Sequence, residues 1–556
     1  MVKNKILNFF KNYYYAYLPV IISVATVLIL KPSYDIDRDD LVLANMVHSA
    51  AYNPNSEYLV FISYILGYLM RFMVLAFPAL NVYVITLIAS MTFGFGVFFY
   101  NIKKYDNKAF FVLLLCLSQI YVIFGISFTV VSFVCSAAGV ALVLSNVKKL
   151  DKSSIKYFVI SFILVFLGFS FRRSSVVVAV FMLFVPVSFF AVKHKRITIS
   201  AILVMTIIFT GTYEFLKISQ DSYKEKLFEG TDYLEFNKYR GIATDSGDLS
   251  YSRHQELFDS NGISKNDVKL CDWFFYNDKT IMPTEKVKII SESHSFSNKY
   301  TLNPIEIAKS FLRKFNIFLF LVAFVMMSIV LLIICKKGRR EIFLSLLFVC
   351  GAVLYLHIRK RGVDRVVKPI VFIGYMQVIE IYLRDKIVSF PDKWIITRIT
   401  AAVVVAIHVI GLGIYMVPEK EMDINAKNCI EYIKNDTEYN YVPISAVKTS
   451  AFLSFKMTEP LLKNMISNVY TGWMVYSPYW YSLLERYEIY EYKDSLYLSL
   501  IDEDIKIVCG YQKKLQTLVE AIREHYNIEV EIKEEKNFGD YLICTLREVS
   551  GEAVQQ

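Results

Sequence analysis

Four aspartates lie within six residues, immediately after the first long apolar run, in the stretch "PSYDIDRDDLVL" at 32–43. Carboxylates are costly near hydrocarbon, so a cluster at the mouth of a membrane segment indicates a specific task. A carboxylate at that boundary can act as a general base toward a lipid-borne substrate. The alternative is a solvated loop whose last members cap a helix. The four residues are Asp35, Asp37, Asp39 and Asp40.

Arginines at the ends of other apolar runs could provide the complementary charge. Guanidinium groups suit bidentate binding of phosphate, so these clusters predict contact with a phosphorylated substrate. The alternative is that they bind lipid headgroups or pair with Asp364. The clusters are Arg172 with Arg173, and Arg359 with Arg361 and Arg365.

Motifs for nucleotides and metals are missing from the sequence. There is no phosphate-binding G-x-x-x-x-G-K-[ST] loop and no H-E-x-x-H, and the two G-x-G triplets, at 94–96 and 411–413, both lie inside apolar runs. No basic stripe with interleaved aromatics indicates nucleic acid. The sequence therefore predicts no nucleic-acid partner and no metal ligands, and it leaves open whether a divalent cation takes part.

The composition predicts an α-helical polytopic membrane protein. Hydrophobic residues make up 55% of the chain and aromatics 15%, and the mean hydropathy is +0.41. Runs of about 17 to 25 apolar residues can cross a bilayer. Eleven such runs occur, near 15–31, 80–100, 109–125, 128–146, 155–171, 174–192, 197–216, 315–335, 341–357, 366–383 and 395–416.

A further apolar segment, 58–77, contains Arg71, and the charge of the loops decides how it is interpreted. Short cytoplasmic loops collect Lys and Arg. If 58–77 lies along the membrane surface, the short inner segments hold 20 Lys and Arg and the short outer loops 7. If it spans, the bias reverses. We therefore expect a juxtamembrane helix, a cytoplasmic N-terminus and a first run retained as an anchor.

The same assignment sets the domain organisation. Residues 1–417 form the transmembrane domain, with a first external loop at 32–79 and a large external loop at 217–314. Residues 418–556 alternate helical periodicity with β-rich runs such as "IKIVCG" and "DYLICTL", which predicts an extracytoplasmic α/β domain. The acidic loop and both soluble segments then share the outer side of a plasma membrane.

This arrangement resembles the GT-C glycosyltransferases, multi-spanning enzymes that take sugars from polyprenyl-phosphate carriers. The stretch "RDDLVLANMVHSAAYNPNSEYLVFISYILGYLMRF" is similar to a group of bacterial integral membrane proteins of this superfamily. Further similarity lies in "YLEFNKYRG" at 233–241, in 262–290, in the arginines of 361–365 and in "GWMVYSPYW" at 472–480.

The resemblance implies a mechanism and assigns roles. An aspartate of the first external loop acts as the base for an inverting transfer, and by position this is Asp39, with Asp40 as its partner and Asp37 as the alternative. Arginines would stabilise the departing polyprenyl phosphate, while the large loop and the tail would bind a glycan or glycolipid acceptor. The phosphate-binding candidates are Arg172, Arg173, Arg361 and Arg365, and the acceptor-binding candidates are Asp278, Trp273, Trp473 and Tyr479.

Two other functions remain open. A transporter or flippase for lipid-linked saccharides would have charged or broken helices near the membrane midplane. The spans instead read as nearly uninterrupted apolar runs with charges at their ends. A non-catalytic membrane component of envelope polysaccharide assembly is the third alternative.

Overall fold

The structure is a computed structural model, and it describes most of the chain. The described residues are 2–32, 39–49, 57–105, 109–147, 151–185, 187–188, 195–246, 249–293, 300–335, 338–384, 394–420, 424–444, 453–456, 464, 466, 474–501, 504–510 and 512–549.

The chain divides into two compact units, each built from discontinuous segments. The first unit comprises Met1–Asp221, Tyr300–Lys420 and Ala451–Thr458. The second comprises Ser222–Lys299, Glu421–Ser450 and Glu459–Gln556. Residues 222–299 of the predicted large external loop therefore share a unit with most of the predicted C-terminal domain, whereas residues 300–314 of that loop belong to the first unit.

Helices form the first unit. Their bounds are α1 Val2–Ala25, continued by a π-helical turn Thr26–Leu30, α2 Asp39–Ser49, α3 Tyr64–Ala76, α4 Val82–Lys103, α5 Ala109–Ile123, α6 Phe128–Asn146, α7 Ile155–Phe171, α8 Arg173–Met182, α9 Lys195–Leu227, which runs on into the second unit, α14 Pro304–Leu312, α15 Phe315–Ile334, α16 Arg339–Ile358, α17 Asp364–Arg384 and α18 Trp394–Lys420.

Seven helices within the described residues are long and apolar enough to cross a bilayer, so the chain is a helical membrane protein. They are Asn12–Leu30, Val82–Lys103, Phe128–Asn146, Ile199–Leu227, Phe315–Ile334, Arg339–Ile358 and Asp364–Arg384. The other four predicted spans coincide with shorter apolar helices, namely Ala109–Ile123, Ile155–Phe171, Arg173–Met182 and Ala401–Ile414.

Helix α6 forms the centre of this unit. It is buried along almost its whole length and packs against α4, α7 and α8. Small residues allow the close approach, because a Cβ on Gly168 of α7 would lie 2.1 Å from the Ser136 hydroxyl of α6. The N-cap side chain of Ser127 accepts from the Val130 N–H, which fixes the start of α6.

The predicted juxtamembrane segment contains a shorter helix than expected. Helix α3 has 13 residues, a length of about 20 Å, and its N-cap Ser63 accepts from the Leu66 N–H. The residues before it form a tight turn closed by a bridge between Leu59 and Ile62. Helix α3 buries one face against the unit and exposes large apolar side chains such as Phe72 on the other.

The second unit is built around a mixed four-stranded sheet of order β1-β2-β4-β3, and it contains the strands expected in the tail. Strand β1 pairs with β2 in parallel, while β4 pairs antiparallel with both β2 and β3. The strands are β1 Asn440–Pro443, β2 Ile505–Cys509, β3 Val530–Asn537 and β4 Leu542–Glu548, and the helices are α10 Tyr233–Ser246, α11 Gln255–Ser260, α12 Lys265–Asp272, α13 Thr284–Ser293, α19 Ile424–Asn435, α20 Pro478–Arg486 and α21 Gln512–Tyr526.

A shared core explains why residues 222–299 of the predicted loop and most of the tail form one unit. Phe236 of α10 packs edge-on against Tyr476, with ring centroids 4.6 Å apart, and both side chains are buried in one continuous cluster. Tyr476 in turn donates a 2.8 Å hydrogen bond to the carbonyl of Tyr276. Burial of apolar surface from both segments stabilises a single core, which composition along the chain does not reveal.

Candidate functional site

Asp40 is fully buried at the start of α2 and joins that helix to two membrane helices. Its Oδ1 accepts from the Tyr83 hydroxyl at 2.6 Å and from the Phe128 N–H at 2.9 Å. Tyr83 is the second residue of α4 and Phe128 the first of α6. Helix N-termini favour negative charge, so this carboxylate is well placed to hold α2 against both ends.

His48 makes a second attachment from the other end of α2. Its Nε2 accepts from the Val82 N–H, with 3.3 Å between the nitrogens. An N–H can only donate, so the bond requires an unprotonated Nε2. Burial lowers the pKa of His48 to about 4, which agrees with a neutral ring. Helix α2 is therefore fixed at both ends to the start of α4.

Asp39 faces a different direction from its neighbour and remains partly accessible. Adjacent residues on a helix project about 100° apart, so Asp40 can point inward while Asp39 points along the rim. The Asp39 Oδ2 accepts from Nη1 of Arg365 at 3.2 Å, and 23% of the aspartate side chain is exposed. The structure thus brings a predicted base and a predicted phosphate ligand together from distant parts of the sequence.

Lys368 is a buried cation three residues after Arg365 in the chain. It lies one turn beyond Arg365 on α17, is 1% exposed, and donates from Nζ to the carbonyl of Phe124 at 2.8 Å. Gly125 follows with φ of +69°, and a Cβ there would lie 3.0 Å from Nζ of Lys368. A side chain at 125 would be strained and would crowd the ammonium group, so the position requires glycine.

Arg172, at the end of α7, contacts the residues that follow Gly125 in the chain. Its Nη1 donates to the Thr129 hydroxyl at 2.7 Å, and its guanidinium carbon lies 5.4 Å from the centroid of the Phe128 ring. Phe61 stacks on that ring, with 5.6 Å between centroids. Asp40, Lys368 and Arg172 therefore all contact residues 124–129, which connect α5 to α6 and include the first two residues of α6.

The remaining predicted phosphate ligands lie nearby in the chain. Arg361 is exposed in the connection between α16 and α17, four residues before Arg365. Arg173 is half-buried at the first position of α8. Asp37, the alternative base, lies outside the described residues, as does Asp35. Their predicted roles stay predictions.

Asp278, the predicted acceptor ligand, is fully buried in the second unit. Its two oxygens accept from the N–H groups of Thr280 and Ile281 at 3.1 Å, from the Tyr497 N–H at 2.9 Å and from the Tyr526 hydroxyl at 2.7 Å. Burial raises its pKa, and these donors oppose that rise. The geometry gives Asp278 a structural role that joins the 278–281 turn to the tail.

The predicted acceptor aromatics differ in accessibility. Trp273 is half-buried at the end of α12, where the Lys514 ammonium lies 5.7 Å from its ring centroid. Tyr479 is buried in the first turn of α20. Trp473 lies outside the described residues. Of the described pair, Trp273 is the one that could offer a stacking face to a sugar.

No group of three or more His, Cys, Asp or Glu residues in the described part of the chain is arranged to hold a metal ion. The candidate site instead combines carboxylates with cationic side chains. Such an arrangement can accept a proton and bind an anion next to the acceptor.

Comparison with known proteins identifies no relative. No protein-family model, curated protein or solved structure matches the chain.

Three site residues are not singled out by the sequence reasoning. Lys368 carried a usable signal, because a charged residue inside an apolar run is a functional candidate by default. His48 and Tyr83 carried none, since each is an ordinary residue of an apolar helix until its partner is known. Their roles depend on contacts across 34 and 43 positions of the chain.

Proposed function

We propose that the chain is a membrane glycosyltransferase of the GT-C type. It moves a sugar from a polyprenyl-phosphate carrier to an extracytoplasmic glycan or lipid acceptor, with inversion. The observation that carries this proposal is the contact between Asp39 and Arg365, because it joins a partly exposed carboxylate to a group suited to phosphate. The buried Lys368, one turn from Arg365 on α17, adds a second cation close by in the chain.

In the proposed reaction, Asp39 takes the proton from an acceptor hydroxyl. The acceptor oxygen attacks the anomeric carbon, the bond from that carbon to the phosphate oxygen breaks, and the carrier leaves with the electron pair. Arg365 neutralises the charge that grows on the departing phosphate, and Arg172 and Lys368 are further candidates for this role. Asp40 is a positioning residue, because its lone pairs hold α2 and thereby the direction of Asp39.

The proposal includes a topology. All eleven predicted spans cross a plasma membrane, with the four shorter apolar helices among them and α3 lying along the surface. The N-terminus is cytoplasmic, and the acidic loop and the second unit are extracytoplasmic. Labelling of single cysteines from outside tests this orientation, and a cytoplasmic position for a label near Gln555 would contradict it.

The decisive experiment measures turnover of a lipid-linked sugar. The purified full chain, reconstituted in nanodiscs, is supplied with a panel of synthetic polyprenyl-phosphate sugars and with cell-envelope glycans as acceptors. We expect release of free polyprenyl phosphate that depends on Asp39. No release with any donor, from a protein that remains folded and monodisperse, would argue against the enzyme.

A buried histidine favours a second candidate function, transport of a lipid-linked saccharide. His408 lies midway along α18, is 1% exposed, and donates from Nδ1 to the Val404 carbonyl at 2.8 Å. Ionisable residues inside membrane helices often mark substrate or proton pathways. A transporter would move a fluorescent lipid-linked sugar between leaflets without releasing its carrier, so the two functions are distinguished in one preparation.

A further inference from the structure

Helix α14 is a short helix with an exposed apolar face. Ile305 and Leu312 are separated by two helical turns and therefore share a face, and they are 65% and 59% exposed. Leu302, just before the helix, is 71% exposed, and Phe315, which begins α15, is 45% exposed. Four large apolar side chains in one short segment need a cover that the described residues do not provide.

Two cations run beside this face. Lys309 lies on α14 and Arg313 is the C-cap residue one turn further on, and both are exposed. Neither has an ion-pair partner among the described residues. The neighbouring charges are already engaged, since Glu306 accepts from the Thr301 hydroxyl at 2.6 Å and Lys314 pairs with Asp364 at 2.7 Å.

The opposite face of α14 is attached to the end of α16. The Ser310 hydroxyl lies 2.7 Å from Nδ1 of His357, and the Phe311 ring stacks on the same histidine with 3.8 Å between centroids. The Thr301 N–H donates to the Ile358 carbonyl at 2.8 Å. These contacts hold α14 against the end of α16 and leave its apolar and cationic side chains exposed.

We propose that α14 is an interfacial helix that binds the anionic headgroups of the surrounding bilayer. Its position supports this partner, because α14 ends only two residues before the strongly apolar span α15. A helix at that depth places apolar side chains among the acyl chains and cations among the phosphates. Leu302, Ile305 and Leu312 insert, while Lys309 and Arg313 contact the headgroups.

The lipid contact is linked to the candidate site through one ion pair. Lys314 follows α14, and its partner Asp364 is the residue immediately before Arg365. Bound lipid would therefore steady the start of α17, from which Arg365 reaches Asp39. The lipid-binding proposal itself does not depend on the enzymatic one, and its tests need no turnover.

The first test counts lipids that stay bound. The full chain is purified from membranes containing phosphatidylglycerol, and retained lipid is measured by native mass spectrometry. The variant Lys309→Gln/Arg313→Gln should lose at least one retained phosphatidylglycerol per chain. The matched variant Lys533→Gln/Lys536→Gln removes the same charge from exposed positions on β3 and should retain the wild-type number. Equal retention in both variants would overturn the proposal.

The second test measures depth. Leu312→Trp and Glu306→Trp place an indole on the apolar and the polar side of α14, in nanodiscs that contain lipids brominated along the acyl chain. We expect the fluorescence added by Leu312→Trp to be quenched several-fold more strongly than that added by Glu306→Trp. Equal quenching, or stronger quenching at 306, would show that the apolar face is not in the bilayer and would overturn the proposal.

Discussion

Nη1 of Arg365 donates a hydrogen bond to Oδ2 of Asp39 at 3.2 Å, although 326 positions of sequence separate the two residues. In the proposed reaction the same guanidinium binds the donor phosphate and the same carboxylate is the base. A phosphate that takes Arg365 releases Asp39 for the acceptor hydroxyl. The contact therefore favours an ordered reaction in which the donor binds before the acceptor.

Asp39→Asn should abolish transfer, and Asp40→Asn should reduce it less. The amide at 39 keeps the shape of the side chain but cannot take the proton, so carrier release should fall by about a thousandfold or more while donor binding persists. The amide at 40 still offers one oxygen to Tyr83 and Phe128, so the rate of carrier release in Asp40→Asn should fall only about tenfold. Single-turnover assays measure both.

Two comparisons separate these roles. Tyr83→Phe removes the hydroxyl that donates to Asp40 without changing Asp39, and it should resemble Asp40→Asn in rate. Wild-type activity in Asp39→Asn together with an inactive Asp37→Asn would move the base by two residues. Activity in all of these variants would contradict the proposed role of the loop.

Arg365→Lys should weaken donor use without unfolding the protein. Lysine retains the charge but loses the planar fork that can hold two phosphate oxygens, so KM for the donor should rise about tenfold. Steady-state kinetics with varied donor give the value. Arg523→Lys, at the exposed pair with Glu529, is the matched control and should leave the KM for the donor unchanged.

The sequence predicted the helical membrane class because many long apolar runs cannot all be kept from water in a soluble protein, whereas each can cross a bilayer as a helix. It did not predict the attachments of α2. The bonds from Tyr83 and Val82 to that helix join residues whose types carry no signal, and they exist only once α4 lies beside it. Charge identified Asp39 and Arg365 as candidates, whereas only the packing of α2 near the start of α17 brings them into contact.

The division into units shows the same limit in the second half of the chain. Strands β2, β3 and β4 of the tail followed from its short β-rich runs, but strand β1 and the association of 222–299 with the sheet did not. Asp278 is the clearest example, since its partners Tyr497 and Tyr526 lie 219 and 248 positions away. The family resemblance suggested an acceptor ligand at Asp278, and that role stays a prediction, while the fold shows that the carboxylate joins two distant segments of the unit.

Asp278→Asn should destabilise the second unit. In the wild type, N–H and O–H groups donate to both oxygens of Asp278. In Asp278→Asn an NH₂ group, itself a donor, replaces one of these oxygens, so the free energy of unfolding should fall by about 3 kcal/mol. Thermal unfolding of the full chain in detergent should show the transition of this unit lowered by several degrees. The control Asp540→Asn changes an exposed carboxylate and should shift nothing. An unshifted transition in Asp278→Asn would leave its role as an acceptor ligand as the better explanation.

His48 should make the attachment of α2 sensitive to acid. The ordinary pKa of histidine is 6.5 and burial lowers that of His48 to about 4, so between these values the unfolded chain binds a proton that the folded chain does not. The free energy of unfolding is then highest above pH 6.5 and falls by about 3 kcal/mol as the pH drops toward 4. His48→Gln keeps an acceptor for the Val82 N–H but does not titrate. Its melting temperature, followed by fluorescence from pH 7.5 to 4, should decline less than that of the wild type. His48→Phe lacks the acceptor and should be less stable than His48→Gln at every pH, with the same weaker decline. Parallel curves for wild type and His48→Gln would show that this histidine does not govern the acid response.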